Sequence, residues 1–219
     1  MCGRFTLVVD GKIITDYYRE RELAGYRGPS YNVAPSQYAP VETADGLEMM
    51  KWGLIPQWAK SASVGYSMIN AVGETVFEKP TYKKPILYQR CLVPASGFYE
   101  WLATDDGKVP HYFTLKDRQI FSFAGLYLSR TDSEGRQLKT FTILTTAPNK
   151  LVKKVHDRMP VILSREEEGV WIDPDMVEPE RISQLIDSYP ASDMSSHVVD
   201  RRVGNAKFDD AELIAPQLS

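Results

Sequence analysis

The residues with the most chemistry to offer stand at the start of the chain, where Met1 is followed by Cys2, Gly3 and Arg4. Initiator methionine is trimmed when the next residue is as small as cysteine, and its loss leaves an α-amine and a thiol on adjacent carbons. The amine titrates near pH ~8 and the thiol near ~8.5, so both keep a nucleophilic fraction at neutral pH. Such a 1,2-aminothiol traps aldehydes. The amine condenses to an imine, and the thiol then closes on the imine carbon to give a five-membered thiazolidine.

Other reactive side chains narrow the choice. The second cysteine, Cys91, lies in the apolar run Cys91-Leu92-Val93-Pro94 and reads as a buried structural thiol. Two cysteines, with no signal peptide, presequence or long apolar span, fit a reducing cytoplasm rather than a disulfide scaffold or a membrane protein. His111, His156 and His197 are scattered singly, without C-x-x-C or H-x-x-x-H spacing, so no metal site and no cofactor are expected. A formal net charge of −3 argues against a protein that coats nucleic acid by bulk electrostatics. Cations still gather at Lys83-Lys84, Lys153-Lys154, Arg158 and Arg201-Arg202, which reads equally as one local patch or as a solvated face.

The elements that must position these groups follow from hydrophobic periodicity. Strands are expected at Arg4 to Val9, Leu47 to Trp52, Cys91 to Val93, Gly97 to Leu102, His111 to Leu115, Ile120 to Leu128, Thr140 to Thr146 and Pro160 to Leu163. Helices are expected from Asn149 through Val155, from Ser164, where Ser164-Arg165-Glu166-Glu167 forms a capping box, and from Pro179 to Ile186. Asp106-Gly107 and Glu134-Gly135 read as hairpin turns. The 219 residues, 43% apolar, therefore suit an α+β fold: a single domain over 1–219 with a curled, barrel-like antiparallel β core, peripheral helices and a loose tail after Ile214.

Several motifs occur in a fixed order: Met1-Cys2-Gly3-Arg4-Phe5, Tyr31-Asn32-Val33-Ala34-Pro35, Trp52-Gly53-Leu54-Ile55-Pro56, Ile69-Asn70-Ala71, Glu74-Thr75, Pro94-Ala95, Phe98-Tyr99-Glu100-Trp101 and His156-Asp157-Arg158-Met159-Pro160. In these the chain resembles bacterial members of the SRAP-domain (SOS response-associated peptidase) family, from Cys2 to about Leu213. The resemblance implies an abasic-site sensor in the DNA damage response. It would bind single-stranded DNA, cross-link covalently through Cys2 to the ring-opened sugar and shield the lesion, with AP lyase activity as a side reaction. Peptidase chemistry attaches to the family through self-removal of residues before the cysteine, and here only Met1 precedes it.

The implied catalytic set is Cys2, Asn70, Glu100 and His156. Glu100, between Tyr99 and Trp101, fits a carboxyl whose pKa is raised by burial among aromatics and which delivers a proton to the departing hydroxyl. His156 would assist acid and base steps on the sugar, and the Asn70 amide would hold the sugar's hydroxyls or the N-terminus. The implied DNA contacts are Arg4, Asn32, Trp58 and Arg158, with Trp58 as a wedge against flanking bases and Trp52 left to the core. Family members commonly carry arginine two residues after the motif asparagine; this chain has Val72, so one phosphate contact is missing. Expected partners are abasic single strands and replication or repair proteins, for a monomer in the cytoplasm. Two other readings stand beside this one. An N-terminal-nucleophile hydrolase of the glutamine amidotransferase kind would use the Cys2 thiol with its own amine as base, yet no Asn-Gly pair for an oxyanion hole occurs. A non-catalytic single-strand DNA-binding module would survive loss of Cys2 and Glu100.

Overall fold

The computed structural model describes residues 2–59, 61–131 and 135–217. Its strands are β1 (Phe5–Leu7), β2 (Ser30–Val33), β3 (Tyr38–Thr43), β4 (Gly46–Trp52), β5 (Asn70–Val72), β6 (Arg90–Ala95) and β7 (Gly97–Thr104). There follow β8 (Gly107–Leu115), β9 (Phe121–Thr131), β10 (Gln137–Thr146), β11 (Met159–Pro160), β12 (Ile162–Leu163) and β13 (Met194–Val198).

Five strands close into a ring. β4, β3, β6, β9 and β10 pair antiparallel in that order, and β10 then returns beside β4 in parallel, Thr140 opposite Lys51 and Phe141 opposite Trp52. Closure removes edges that long strands otherwise leave open to association. β10 runs on past β4 to pair in parallel with β5, which sets Asn70 opposite Ile143 and Val72 opposite Thr145. A second, antiparallel sheet has the order β13-β8-β7-β1-β2. Its inner face meets the ring through buried aromatics: Phe5 stands edge-on to Trp52 at 5.1 Å and Phe98 edge-on to Phe123 at 6.1 Å. Successive side chains in a strand point to opposite faces, so Phe98 in this core aims Glu100 along the same face toward the rim.

The α+β class with a barrel-like core is thus what the molecule has. The capping box forms as expected: the Ser164 hydroxyl accepts from the Glu167 N–H, the Glu167 carboxylate accepts from the Ser164 N–H, and the helix runs Arg165–Ile172. A helix also starts at Pro179, ending at Gln184. The Asp106-Gly107 hairpin closes with Gly107 at φ +106°, a conformation glycine adopts without strain. At the other expected hairpin the strands pair from Gln137 opposite Thr131, while Glu134 lies outside the described residues.

Four expectations are corrected. The helix over Asn149 to Val155 is a 3-10 turn at Val152–Lys154, because the Asn149 side chain accepts from both the Leu151 and Val152 N–H groups at 3.0 Å and tightens the turn. The Pro160 to Leu163 strand divides into β11 on β10 and β12 on β9, with Val161 bonded to both partners. The tail is tied down through Gln217, whose N–H donates to the Val198 carbonyl at 2.9 Å, and Leu213 is buried. A helix at Gly11–Tyr18, capped by Asp10, was not anticipated, nor were β2, β3, β5 and β13.

Candidate active site

The N-terminal segment reaches the rim through the β1–β7 register. Phe5 pairs with Phe98, the Tyr99 N–H donates to the Arg4 carbonyl at 3.0 Å, and the extended chain beyond delivers Gly3 and Cys2 beside Glu100. From the other side β5, held against β10, presents Asn70, whose amide N–H donates to the Cys2 carbonyl at 2.8 Å. His156 follows the 3-10 turn, its N–H donating to the Val152 carbonyl at 2.9 Å, and its Nε2 lies 3.8 Å from Glu100 Oε2. Four separate stretches of sequence therefore bring Cys2, Asn70, Glu100 and His156 together. Glu100 and His156 line a cleft of about 680 Å³ together with Gly3, Arg4, Lys108 and Gly204 among others, with Cys2 and Asn70 buried or half-buried behind it.

The electrostatics of the cleft come from burial. Cys2 is 0% exposed, and desolvation, reinforced by the Glu100 charge, drives its thiol pKa far above the ordinary range. Glu100 is 1% exposed, and its carboxyl is pushed up to about 7, chiefly by desolvation, with the nearby Asp157 adding to the rise. Burial also lowers the His156 imidazole below its usual value, outweighing the attraction of Asp157, whose Oδ1 lies 3.0 Å from Nδ1. The Arg158 backbone N–H donates to that Nδ1 at 3.0 Å, so the neutral ring carries its proton on Nε2, toward Glu100. Near neutral pH the groups gathered here are thus a carboxyl poised between its acid and carboxylate forms, a neutral imidazole and an un-ionised thiol. The Asn70 carbonyl oxygen Oδ1 is buried and has no hydrogen-bond partner among the described residues.

The expected DNA-contact residues divide. Arg4 stands in the cleft wall and donates only to backbone, to the Gly3 carbonyl at 3.1 Å and the Gly204 carbonyl at 3.2 Å; burial lowers its pKa and, among the described residues, no carboxylate pairs with it. Trp58 is 65% exposed on the segment between β4 and β5, open to stacking, whereas Trp52 is wholly buried. That segment is pinched at its base. Gly53, at φ +114°, packs so closely on Gly65 that a Cβ would fall 2.5 Å from the Gly65 carbonyl oxygen, and the Leu54 N–H donates to the Met68 carbonyl at 3.1 Å.

Two expectations need correction in detail. Asn32 is buried and its amide nitrogen lies within hydrogen-bond distance of three carbonyls, Val203 at 3.1 Å, Asn205 at 3.2 Å and Phe208 at 2.9 Å, so its side chain fixes the segment that supplies Gly204 rather than facing a ligand. The Arg158 guanidinium is clamped bidentately by Glu74, at 2.8 and 2.6 Å, and donates to the Thr145 carbonyl at 2.7 Å; a phosphate would have to share it with that carboxylate. Sequence reasoning assigned no role to Glu74 or to the cleft-wall residues Lys108 and Gly204. The cross-strand pairing of Lys108 with Ala103 across the Asp106-Gly107 hairpin was the available signal for the lysine.

Comparison with known proteins gives a consistent set of relatives. The model of the SOS response associated peptidase (SRAP) family matches residues 1–206. The abasic site processing protein YoqW of Bacillus subtilis is 43% identical over 221 residues, covering 98% of this chain and 99% of that protein. The abasic site processing protein HMCES of Gallus gallus is 29% identical over 224 residues, covering 86% of this chain and 66% of that protein. A crystal structure of a Bacteroides thetaiotaomicron protein superposes with a TM-score of 0.91 at 28% identity, covering 99% of this chain and all of that one.

Proposed function

The chain belongs to the SRAP family, and on that premise we propose that it captures abasic sites in single-stranded DNA as a covalent thiazolidine on Cys2. The observation that carries the reading is the placement of the buried Cys2 beside a carboxyl of pKa about 7 that itself lines an open cleft.

Once Met1 is removed, the Cys2 amine attacks C1′ of the ring-opened aldehyde and forms a carbinolamine. Glu100, in its protonated form, gives its proton to the departing hydroxyl, and water leaves as the nitrogen lone pair forms the C=N bond of a protonated imine. The thiol then adds to the carbon of that protonated imine: an S–C1′ bond forms, the C=N π pair goes to nitrogen and cancels its charge, and the S–H bond must break. A thiol held this far above its ordinary pKa is not present as thiolate, so its proton has to be taken during attack. The Glu100 carboxylate left by the previous step is the base within the cleft that can take it. One carboxyl thus gives a proton at dehydration and recovers one at ring closure. Asn70, by holding the Cys2 carbonyl, fixes the nucleophile, and His156 Nε2–H steadies the Glu100 charge between the two transfers.

Ring closure also separates shielding from cleavage. A protonated imine acidifies the C2′ hydrogens and invites β-elimination, whereas a thiazolidine carries no iminium. Incubating the purified protein with an abasic single strand and mapping the modified peptide by mass spectrometry tests the reading. The expected adduct lies on the peptide beginning at Cys2, and an unmodified terminus, or ammonia release from glutamine in its place, overturns it.

A further inference from the structure

The catalytic cleft does not end at His156. A second hollow of about 550 Å³, lined by Leu102, Ala147, Pro148, Lys153, Lys154, Val155, His156 and Asp157, shares the last three with the first, so the two form one trough crossing a ridge at 155–157. The floor of the second hollow is apolar, with Leu102 and Pro148 partly buried. Its wall carries two adjacent exposed lysines whose ammonium groups make no ion pair or hydrogen bond among the described residues. Their backbone is fixed in advance: Val152 is fully buried, Asn149 caps the turn, the Asn149 amide donates to the Tyr189 carbonyl at 2.7 Å, and the Lys153 N–H donates to the Asn149 carbonyl at 2.9 Å. Free cations on a rigid turn above an apolar floor suit an anionic group joined to a flat ring.

We propose that this hollow seats the nucleotide adjoining the lesion on one side, its base lying on Leu102 and Pro148 and its phosphate between Lys153 and Lys154. The proposal rests on the single-strand reading above and adds to it a direction: the strand leaves the catalytic cleft over the His156 ridge. Asp157, exposed on the shared wall, is the carboxylate lining the second hollow and steers the phosphate toward the lysines.

Binding to a single strand bearing a non-reactive tetrahydrofuran lesion tests this without any cross-link. Neutralising both lysines, K153Q/K154Q, is expected to reduce the slope of log affinity against log salt by about 0.7, the value for one phosphate contact on a single strand. Trimming the strand one nucleotide at a time from each end should weaken wild-type binding when the adjoining nucleotide on one side is removed, and that loss should be absent in K153Q/K154Q. The pair K83Q/K84Q, exposed lysines away from the trough, should leave the slope as in wild type. A wild-type slope in K153Q/K154Q, or the same trimming loss in both proteins, overturns the proposal. If wild type binds the lesion strand but never cross-links, the thiazolidine reading fails while the trough is still measured.

Discussion

Glu42 and Glu100 are two buried carboxyls with the same pKa and different company. Each is pushed up to about 7 chiefly by desolvation. Glu42 sits on β3, opposite Leu92, on the face turned away from the ring core that holds Val41. The charge of Glu20 adds to the rise, and Glu42 Oε2 has no hydrogen-bond partner among the described residues. Glu100 has Cys2, Asn70 and His156 around it and an open cleft in front. A displaced pKa records burial; it becomes chemistry only where a nucleophile and access meet it.

The strongest way to break the comparison is to remove the nucleophile. Cys2→Ala should lose the heat-stable adduct entirely while still forming an imine that borohydride traps, with more strand scission than wild type; a heat-stable conjugate on an abasic-oligonucleotide gel would sink the thiol's assigned part. Next comes the carboxyl itself. Glu100→Gln should slow adduct formation by roughly 10²–10³-fold, whereas Glu42→Gln should leave the rate as it is, measured as single-turnover rates at saturating DNA. Equal losses in both variants would erase the distinction.

Stability should treat the two residues alike. A carboxyl whose folded pKa of about 7 exceeds its unfolded value binds its proton more tightly in the folded state. The stability this lends is complete below the unfolded pKa of ~4.3 and is lost as pH rises through 7. Denaturant titrations between pH 5 and 8 should therefore show Glu100→Gln escaping a decline on the order of 3 kcal/mol, and Glu42→Gln a smaller one because more of its side chain keeps contact with solvent. The replacement that slows the reaction is thus expected to make the fold more stable than wild type above neutrality. The smallest effect concerns a missing cation. Val72 lies opposite Thr145, whose carbonyl already receives Arg158, so Val72→Arg would place a second guanidinium beside the Arg158–Glu74 clamp. Single-strand affinity should rise and the salt slope increase by about 0.7, and no change across a salt titration would count against it.

What was legible in the sequence was local. The Ser164 capping box, the Asp106-Gly107 turn and the long alternating strands β7 to β10 are written in contiguous residues, and so is the aromatic flank of Glu100. What was missed depends on distant partners or on composition that disguises an element. β13 contains Ser195, Ser196 and His197, polar residues made into a strand by pairing with β8. The helix at Gly11–Tyr18 ends on Arg19 at φ +62° with no glycine to announce the stop, although Asp10 marked its start. The parallel seam between β4 and β10, which closes the ring, joins residues about ninety positions apart. Asn32 looked like a ligand contact because its motif was recognisable, but its amide nitrogen is occupied by carbonyls of residues 203–208 that no local pattern reveals.

The glycine-on-glycine pinch at Gly53 and Gly65 has a mechanical consequence. Side chains cannot occupy this neck; Trp58 lies on the segment between its two glycines, while Asn70 lies past it, locked to β10. Homologous loops could therefore lengthen, shorten or change their aromatic tips without shifting the register of the asparagine. Whatever Trp58 strikes, the recoil stops at the neck.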